Sequence, residues 1–287
     1  MICGTHRRFF CLDTYICRLF YLGTNYFGSQ YQPGFSTIQG EIIEAIEEWS
    51  SESHNTESIQ LSGRTDRGVH SYGQIVAIQT ERPLEIDRIN RFLPDDITLW
   101  AYCKAPADFK PRFDILMRHY RYYLPTRGRT LNVETMQSSI QTIIGFHDFG
   151  LLSKPDENRP TSTTILNASV IAHKNTTLID FYGTNFLWKL IRKIVRLLTQ
   201  IGEGHFEPNI IDRILNHTYE ITNGINPAPP EFLVLVEAVT PIIMRRSKSA
   251  LKRIQKTVER QVSFIERYNT ALSFIRDDFI SFRRRLS

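Results

Sequence analysis

Residues 61–70 read Leu-Ser-Gly-Arg-Thr-Asp-Arg-Gly-Val-His, so that one acid, Asp66, stands between Arg64 and Arg67, with Gly63 and Gly68 on either side. Guanidinium groups beside a carboxylate favour its charged form. Glycines allow backbone angles and close approach that a side chain would forbid. A charged carboxylate displayed in this way is a candidate catalytic group; the competing interpretation is a surface turn with incidental ion pairs. A second group of charges lies at 186–201. There Phe186, Leu190, Ile194, Leu197 and Ile201 recur at helical spacing, while Lys189, Arg192, Lys193 and Arg196 fall three, four and seven apart on the other side. The pattern predicts a helix that buries one face and carries a row of cations along the opposite edge. Taken alone, it also describes an ordinary amphipathic helix with a solvated basic face.

Both groups need elements to hold them. Residues 58–61 and 73–80 read as strands, which puts Asp66 on the loop between them. Upstream, 15–21 is strand-like, and 37–49 reads as a helix opened by Ser36 or Thr37. A helix near 86–92 and a strand at 97–104 follow. The same βαββαβ order recurs after residue 115: a strand at 118–124, a helix at 133–143, a strand pair at 165–173 and 178–182 turning at Lys174-Asn175, the basic helix, and a last strand at 232–238. Two such halves without detectable identity suggest a divergent internal duplication. The expected fold class is therefore α+β, with two βαββαβ halves at 1–112 and 113–244 and a basic helical extension at 245–287.

The Asp66 octet resembles the catalytic loop of the TruA-type tRNA pseudouridine synthases, whose pattern is Gly-Arg-Thr-Asp-x-Gly-Val-His with a Gly-Gln shortly after; here Gly73-Gln74 stands in that place. Three more blocks follow the family's order. Residues 26–32, Tyr-Phe-Gly-Ser-Gln-Tyr-Gln, are similar to its Tyr-x-Gly-Trp-Gln-x-Gln segment. Arg112-Phe113 with Arg118-His119-Tyr120-Arg121-Tyr122 resembles its Arg-Phe and Arg-Tyr-x-Tyr block, and 185–195 resembles the helix bearing its second essential charge. Two positions depart from the pattern. Ser29 replaces the tryptophan usual in bacterial members, so any role of that ring is absent or supplied elsewhere. Phe232 replaces a glycine ahead of the last core strand.

The resemblance implies a pseudouridine synthase fold, in which the two halves join into a continuous antiparallel sheet with the active cleft across the middle. It implies isomerisation of uridine to pseudouridine in the anticodon stem-loop of tRNA, typically at nucleotides 38 to 40. No cofactor and no metal are expected, and the expected assembly is a homodimer. Asp66 would be the essential carboxylate, as nucleophile or as base on the sugar. Arg192 would pair with it, and Tyr120 would stack on the base or accept its C5 proton. Arg64, Arg67, Gln74, Lys189, Lys193 and Arg196 would bind the RNA, and Leu233 would lean over the target base. His70 and His119 are expected to be structural. A non-catalytic protein that binds or folds tRNA on the same scaffold is the alternative.

Composition agrees with an enzyme of this size: 287 residues at 41% hydrophobic content can bury one large core or two moderate ones. No run approaches the roughly 20 apolar residues that cross a bilayer, and the first residues lack a signal-peptide pattern; a cytoplasmic protein with no membrane partner is expected. Cys3, Cys11, Cys17 and Cys103 show no Cys-x-x-Cys pair and read as reduced structural thiols rather than zinc ligands with His6. Residues 245–287 hold twelve Lys or Arg against four Asp or Glu, a surplus of eight that leaves the rest of the chain at −3 of the total +5. A polyanion must therefore be met by local basic surfaces. This segment contains no Gly or Pro, and Leu251, Ile254, Val258, Gln261, Ile265, Tyr268, Leu272, Ile275, Phe279, Phe282 and Leu286 alternate by three and four, the seam of a coiled coil. Packing against the body, packing against a second copy, and RNA contact through its charges are the roles this pattern allows.

Overall fold

Alternation along Asp13–Tyr21 (β1) gives a strand with two working faces. Tyr15, Cys17, Leu19 and Tyr21 meet the apolar stripe Ile38, Ile42 and Ile46 of Ile38–Ser50 (α1). Thr37 caps that helix by accepting from Gly40 N at 3.2 Å. The computed structural model describes residues 12–154, 160–219 and 224–286, with side chains to 279. Cys3, His6 and Cys11, and the side chains of Phe282 and Leu286, lie outside the described residues.

The chain continues through Ile59–Leu61 (β2), His70–Thr80 (β3), Ile86–Ile89 (α2), Ile97–Lys104 (β4), Met117–Pro125 (β5), Val133–Ile140 (α3), Gly145–Asp148 (β6), Ser162–His173 (β7) and Thr176–Gly183 (β8). Then come Leu190–Gly202 (α4), Ile210–Leu215 (α5), Leu233–Val239 (β9), Arg245–Arg246 (β10) and Lys248–Leu286 (α6). The ten strands form one sheet in the order β10-β4-β1-β3-β9-β5-β8-β7-β6, with β2 paired to β3. A first core lies between β1, β3, β4 and α1. A second gathers Tyr120, Tyr122 and Leu124 of β5 with Met136 and Ile140 of α3 and Leu190, Ile194 and Leu197 of α4. The reverse face is covered in part, where Ile16, Ile75 and Ala77 meet Ile115 and Ala238.

The α+β fold and the continuous sheet are as expected, but the sheet is mixed rather than antiparallel throughout. At the join, β3 and β9 run parallel, with His70 beside Val234 and Ser71 beside Leu235. No hairpin can make such a pair, because parallel strands need a crossover, and here the crossover is everything from α2 to the 3₁₀ turn at Pro230–Phe232. Gly73 shows how close that approach is: a Cβ there would lie 2.0 Å from the Val236 carbonyl oxygen.

Other differences have local causes. The helix expected near 86–92 stops at Ile89, because the Asn90 side chain pairs with the Leu99 backbone through both ends of its amide, each at 2.8 Å. The helix expected from 186 begins at Leu190: Lys189 stands just before it in a left-handed conformation, φ +65°. Residues 141–143 tighten into a 3₁₀ turn after α3. The β7–β8 hairpin does turn at Lys174-Asn175. β6, α5 and β10 are short elements without a periodic signature in the sequence.

Candidate active site

The loop between β2 and β3 is held by backbone and buried side-chain contacts on several sides. Arg118 Nη2 donates to the Ser62 carbonyl at 2.5 Å, and Gln74 Nε2 donates to that of Gly63 at 2.9 Å. Thr65 and Ser29 bind reciprocally: Thr65 N donates to Ser29 Oγ at 2.8 Å, and Ser29 N donates to the Thr65 carbonyl at 3.1 Å. Tyr21 and Thr65 share a hydroxyl hydrogen bond of 2.9 Å. Asp66 O accepts from Val69 N at 3.2 Å, closing the turn, and Gly68 completes it at φ +86°, where a side chain would be strained. Ser29 is fully buried, so the departure from tryptophan has a clear use: a small hydroxyl fixes the backbone one residue before the acid.

The Asp66 carboxylate has a partner at each oxygen. Oδ2 accepts from Arg192 Nη1 at 2.5 Å, and Oδ1 accepts from Trp188 Nε1 at 2.9 Å. The two side chains of the ion pair are 20% and 12% exposed, covered enough to escape much screening yet open on one side. Arg192 is itself fixed, since its Nε donates to the Ala228 carbonyl at 2.7 Å while Ala228 N returns a bond to the Arg192 carbonyl at 2.9 Å. Arg192 lies in the first turn of α4, whose amino end also favours negative charge. Of the flanking arginines, the Arg67 guanidinium lies 4.4 Å above the Phe27 ring, and Arg64 is exposed.

Tyr120 is buried beside this pair, with its ring edge-on to Phe186 at 5.3 Å. Burial, with Tyr21 and Asp66 adding to it against the opposing pull of Arg118, pushes the phenol well above its usual range. Burial thus favours the neutral phenol, which keeps its flat face. Burial likewise pushes Tyr21 up to about 12, partly offset by its hydrogen bonds, and lowers the basicity of Arg118.

The remaining expected contacts divide. Gln74 is fully buried, with its carbonyl oxygen taken by Ser62 Oγ at 2.5 Å and its amide by Gly63, so it braces the loop and does not face RNA. Leu233 is 5% exposed and belongs to the second core. Along α4, Ile191, Val195 and Leu198 are buried as well as the expected stripe, which narrows the cationic edge. Lys193 Nζ turns back to the Ser153 carbonyl at 2.8 Å, and burial followed by the nearby Lys189 lowers its pKa. Arg196 is exposed, and Lys189 Nζ lies 5.5 Å from the Trp188 ring.

His70 and His119 have structural partners. His70 Nδ1 accepts from Gly23 N at 3.0 Å, which leaves Nε2 to donate to the Glu231 carbonyl at 3.0 Å, and burial lowers its pKa. His119 lies 2.5 Å from Asp180 and stacks on Tyr182. Phe232 sits edge-on to Tyr122 at 6.1 Å just ahead of β9, and the β5–β9 pairing that follows starts in register at Tyr122–Leu233 and shifts by one residue at Val236. Trp188 is the group that sequence reasoning missed. Placed inside the helical register of 186–201 it reads as one more large apolar side chain, and only the break at Lys189 turns its N–H toward the acid.

Residues 140–241 match the family described as tRNA pseudouridine synthase. Among relatives named tRNA pseudouridine synthase A, that of Methanosarcina mazei is 37% identical over 223 residues, 76% of this chain and 81% of its own. That of Pyrococcus furiosus is 31% identical over 271 residues, 92% and 96% of the two chains. The chain belongs to the tRNA pseudouridine synthase A family. Its members are isomerases. Among the described residues no group of three or more His, Cys, Asp or Glu is arranged to hold a metal ion, and no helix is long and apolar enough to cross a membrane.

Proposed function

We propose that this chain converts uridine to pseudouridine in tRNA, with Asp66 as the essential carboxylate. The observation that carries the reading is the Asp66–Arg192 contact, a charge-assisted pair made by two distant segments and open to solvent on one side. The reaction breaks the bond between uracil N1 and ribose C1′, turns the base, and joins C5 to C1′ while the C5 proton leaves and N1 gains one. No atom is gained or lost overall. Asp66 acts on the sugar, as nucleophile or as base; Arg192 keeps the carboxylate charged and aimed; Tyr120 offers its ring to the base. Taking the nucleotide out of its stack costs a few kcal/mol, offset by phosphate contacts for which Arg64, Arg67, Lys189 and Arg196 are the candidates. Leu233 would reach the base only after a local shift.

The target region is the anticodon stem-loop, at nucleotides 38 to 40, in a cytoplasmic protein acting as a homodimer, since a tRNA extends further than one cleft. Recognition is by shape and backbone. The test uses purified protein and an unmodified tRNA transcript without added cofactor. Pseudouridine at 38 to 40 from wild type, with a loss of at least about 10²–10⁴-fold in Asp66→Ala, supports the reading. Tight tRNA binding with no product from the wild type would instead identify a tRNA-folding protein on the same scaffold.

A further inference from the structure

Helix α6 touches the body along one face and turns a different face to solvent. Ala250 and Thr257 are buried, Arg253 Nη2 donates to the Leu93 and Pro94 carbonyls at 2.8 Å each, and Arg260 pairs with Asp95 at 2.7 Å. Leu251 and Val258, which belong to the seam read from the sequence, remain 41% and 39% exposed. Beyond Arg260 the helix leaves the body. Ile265, Tyr268, Leu272, Ile275 and Phe279 continue the seam at 43% to 63% exposure, flanked by Val262 and Phe264 at 49% and 55%.

RNA does not fit this surface. Residues 245–260 carry seven cations against Glu259, but 261–279 carry Arg267 and Arg276 against Glu266, Asp277 and Asp278, a net −1. A polyanion is held by clustered cations; in the projecting half these stand only at its far end, Arg283 to Arg285, and residues 261–279 offer an apolar stripe instead. Nor does intrinsic propensity account for the helix. Val262, Phe264, Ile265, Tyr268, Thr270 and Ile275 are all mediocre helix formers, and most helical stability comes from packing of an apolar face. The exposed stripe amounts to roughly 100 Å² for each half-exposed aromatic ring and on the order of 800 Å² in all, the share that one partner contributes to an ordinary stable interface and more than a monomer usually leaves in one patch.

We propose that the projecting half of α6 pairs with the same segment of a second copy as an antiparallel coiled coil. A two-fold interface must be self-complementary, and this one is. Centred on Thr270, the pairing sets Ile265 against Ile275 of the second copy, Tyr268 against Leu272, and Gln261 against Phe279. The flanking charges then oppose apolar groups, Arg276 facing Val262 and Asp278 facing Phe264, so no like charges meet. Parallel pairing would lay the two basic 245–260 segments side by side. The antiparallel form sends the two bodies to opposite ends. The proposal deepens the homodimer reading above, naming its surface, and is independent of the role of Asp66.

The test is the mass of the full-length protein in solution by light scattering. Twice 33.4 kDa is expected for the wild type and for Ile265→Leu, and 33.4 kDa for Ile265→Glu with unchanged far-ultraviolet helicity of the body. Ala271→Cys, next to the dyad, should form an interchain disulfide under mild oxidation that the wild type does not form. A monomeric wild type overturns the homodimer reading and the proposal with it. A dimer that survives Ile265→Glu, with no cross-link through residue 271, keeps the homodimer and overturns its placement on α6.

Discussion

Asp66 has both oxygens occupied, one by a cation that must stay and one by an indole that need not. Arg192 is anchored by Ala228 as well, so its guanidinium meets the acid in a fixed orientation. Lysine could supply charge there but not both contacts at once; Arg192→Lys should retain fold and tRNA binding while lowering turnover by about 10²-fold, read as kcat at saturating tRNA. Trp188 donates to the oxygen that Arg192 leaves free, and it is half-exposed. Trp188→Phe keeps the ring and loses the donor. The expected cost is about 1 kcal/mol, or fivefold in turnover, with binding unchanged; a variant at full rate would show that the indole contact is incidental. The acid, its cation and Tyr120 were legible because their residue types stand in ordered blocks. Gln74 was misjudged for a physical reason: an amide reads alike whether it faces RNA or braces a loop, and burial decides which.

The loop that presents the acid depends on its supports. Ser29→Ala would orphan the Thr65 amide inside the protein, at a cost of about 1–3 kcal/mol, which for a chain of this size lowers Tm by roughly 3–10 °C and reduces activity together with stability. His70 joins the Gly23 turn to the residues ahead of β9 through a neutral ring. Its pKa and that of His54 are lowered by burial, so their contribution to stability is complete above the unfolded-state value of about 6.5 and is lost as pH falls through the lower folded-state values. Unfolding midpoints should therefore drop below about pH 6.5, and less steeply in His70→Gln. At this scale most strands and α1 were legible from alternation and capping. The start of α4 was not, because a lysine at positive φ has no signature of residue type, unlike glycine or asparagine.

Across the molecule, periodicity anticipated most of the strands and the family resemblance the single sheet, but not the direction of the strands where β3 meets β9. Strand direction at that seam is set by tertiary packing, and a one-dimensional pattern reads the same either way. The heptad seam of α6 was likewise legible, while the face that meets the body was not. That face consists of Ala250, Arg253 and Thr257, chosen by hydrogen bonds to loop carbonyls rather than by apolar spacing. Ending the chain after Arg260 should cost only what the second copy contributes to Tm, since residues 261–279 are largely exposed on the body, whereas Arg253→Ala should lower it by several degrees in addition, through the loss of the part-buried Nη2 that donates to two loop carbonyls.

On the proposed role of Asp66, the sequence separation of 126 between the acid and its cation also sets when activity can begin. A ribosome has finished the Asp66 loop long before it makes Arg192, and it must still add Ala228 and β9 before either is locked in place. Nascent chains released before that point carry the motif without the pair, and on the same reading a truncated translation product does not modify RNA ahead of time.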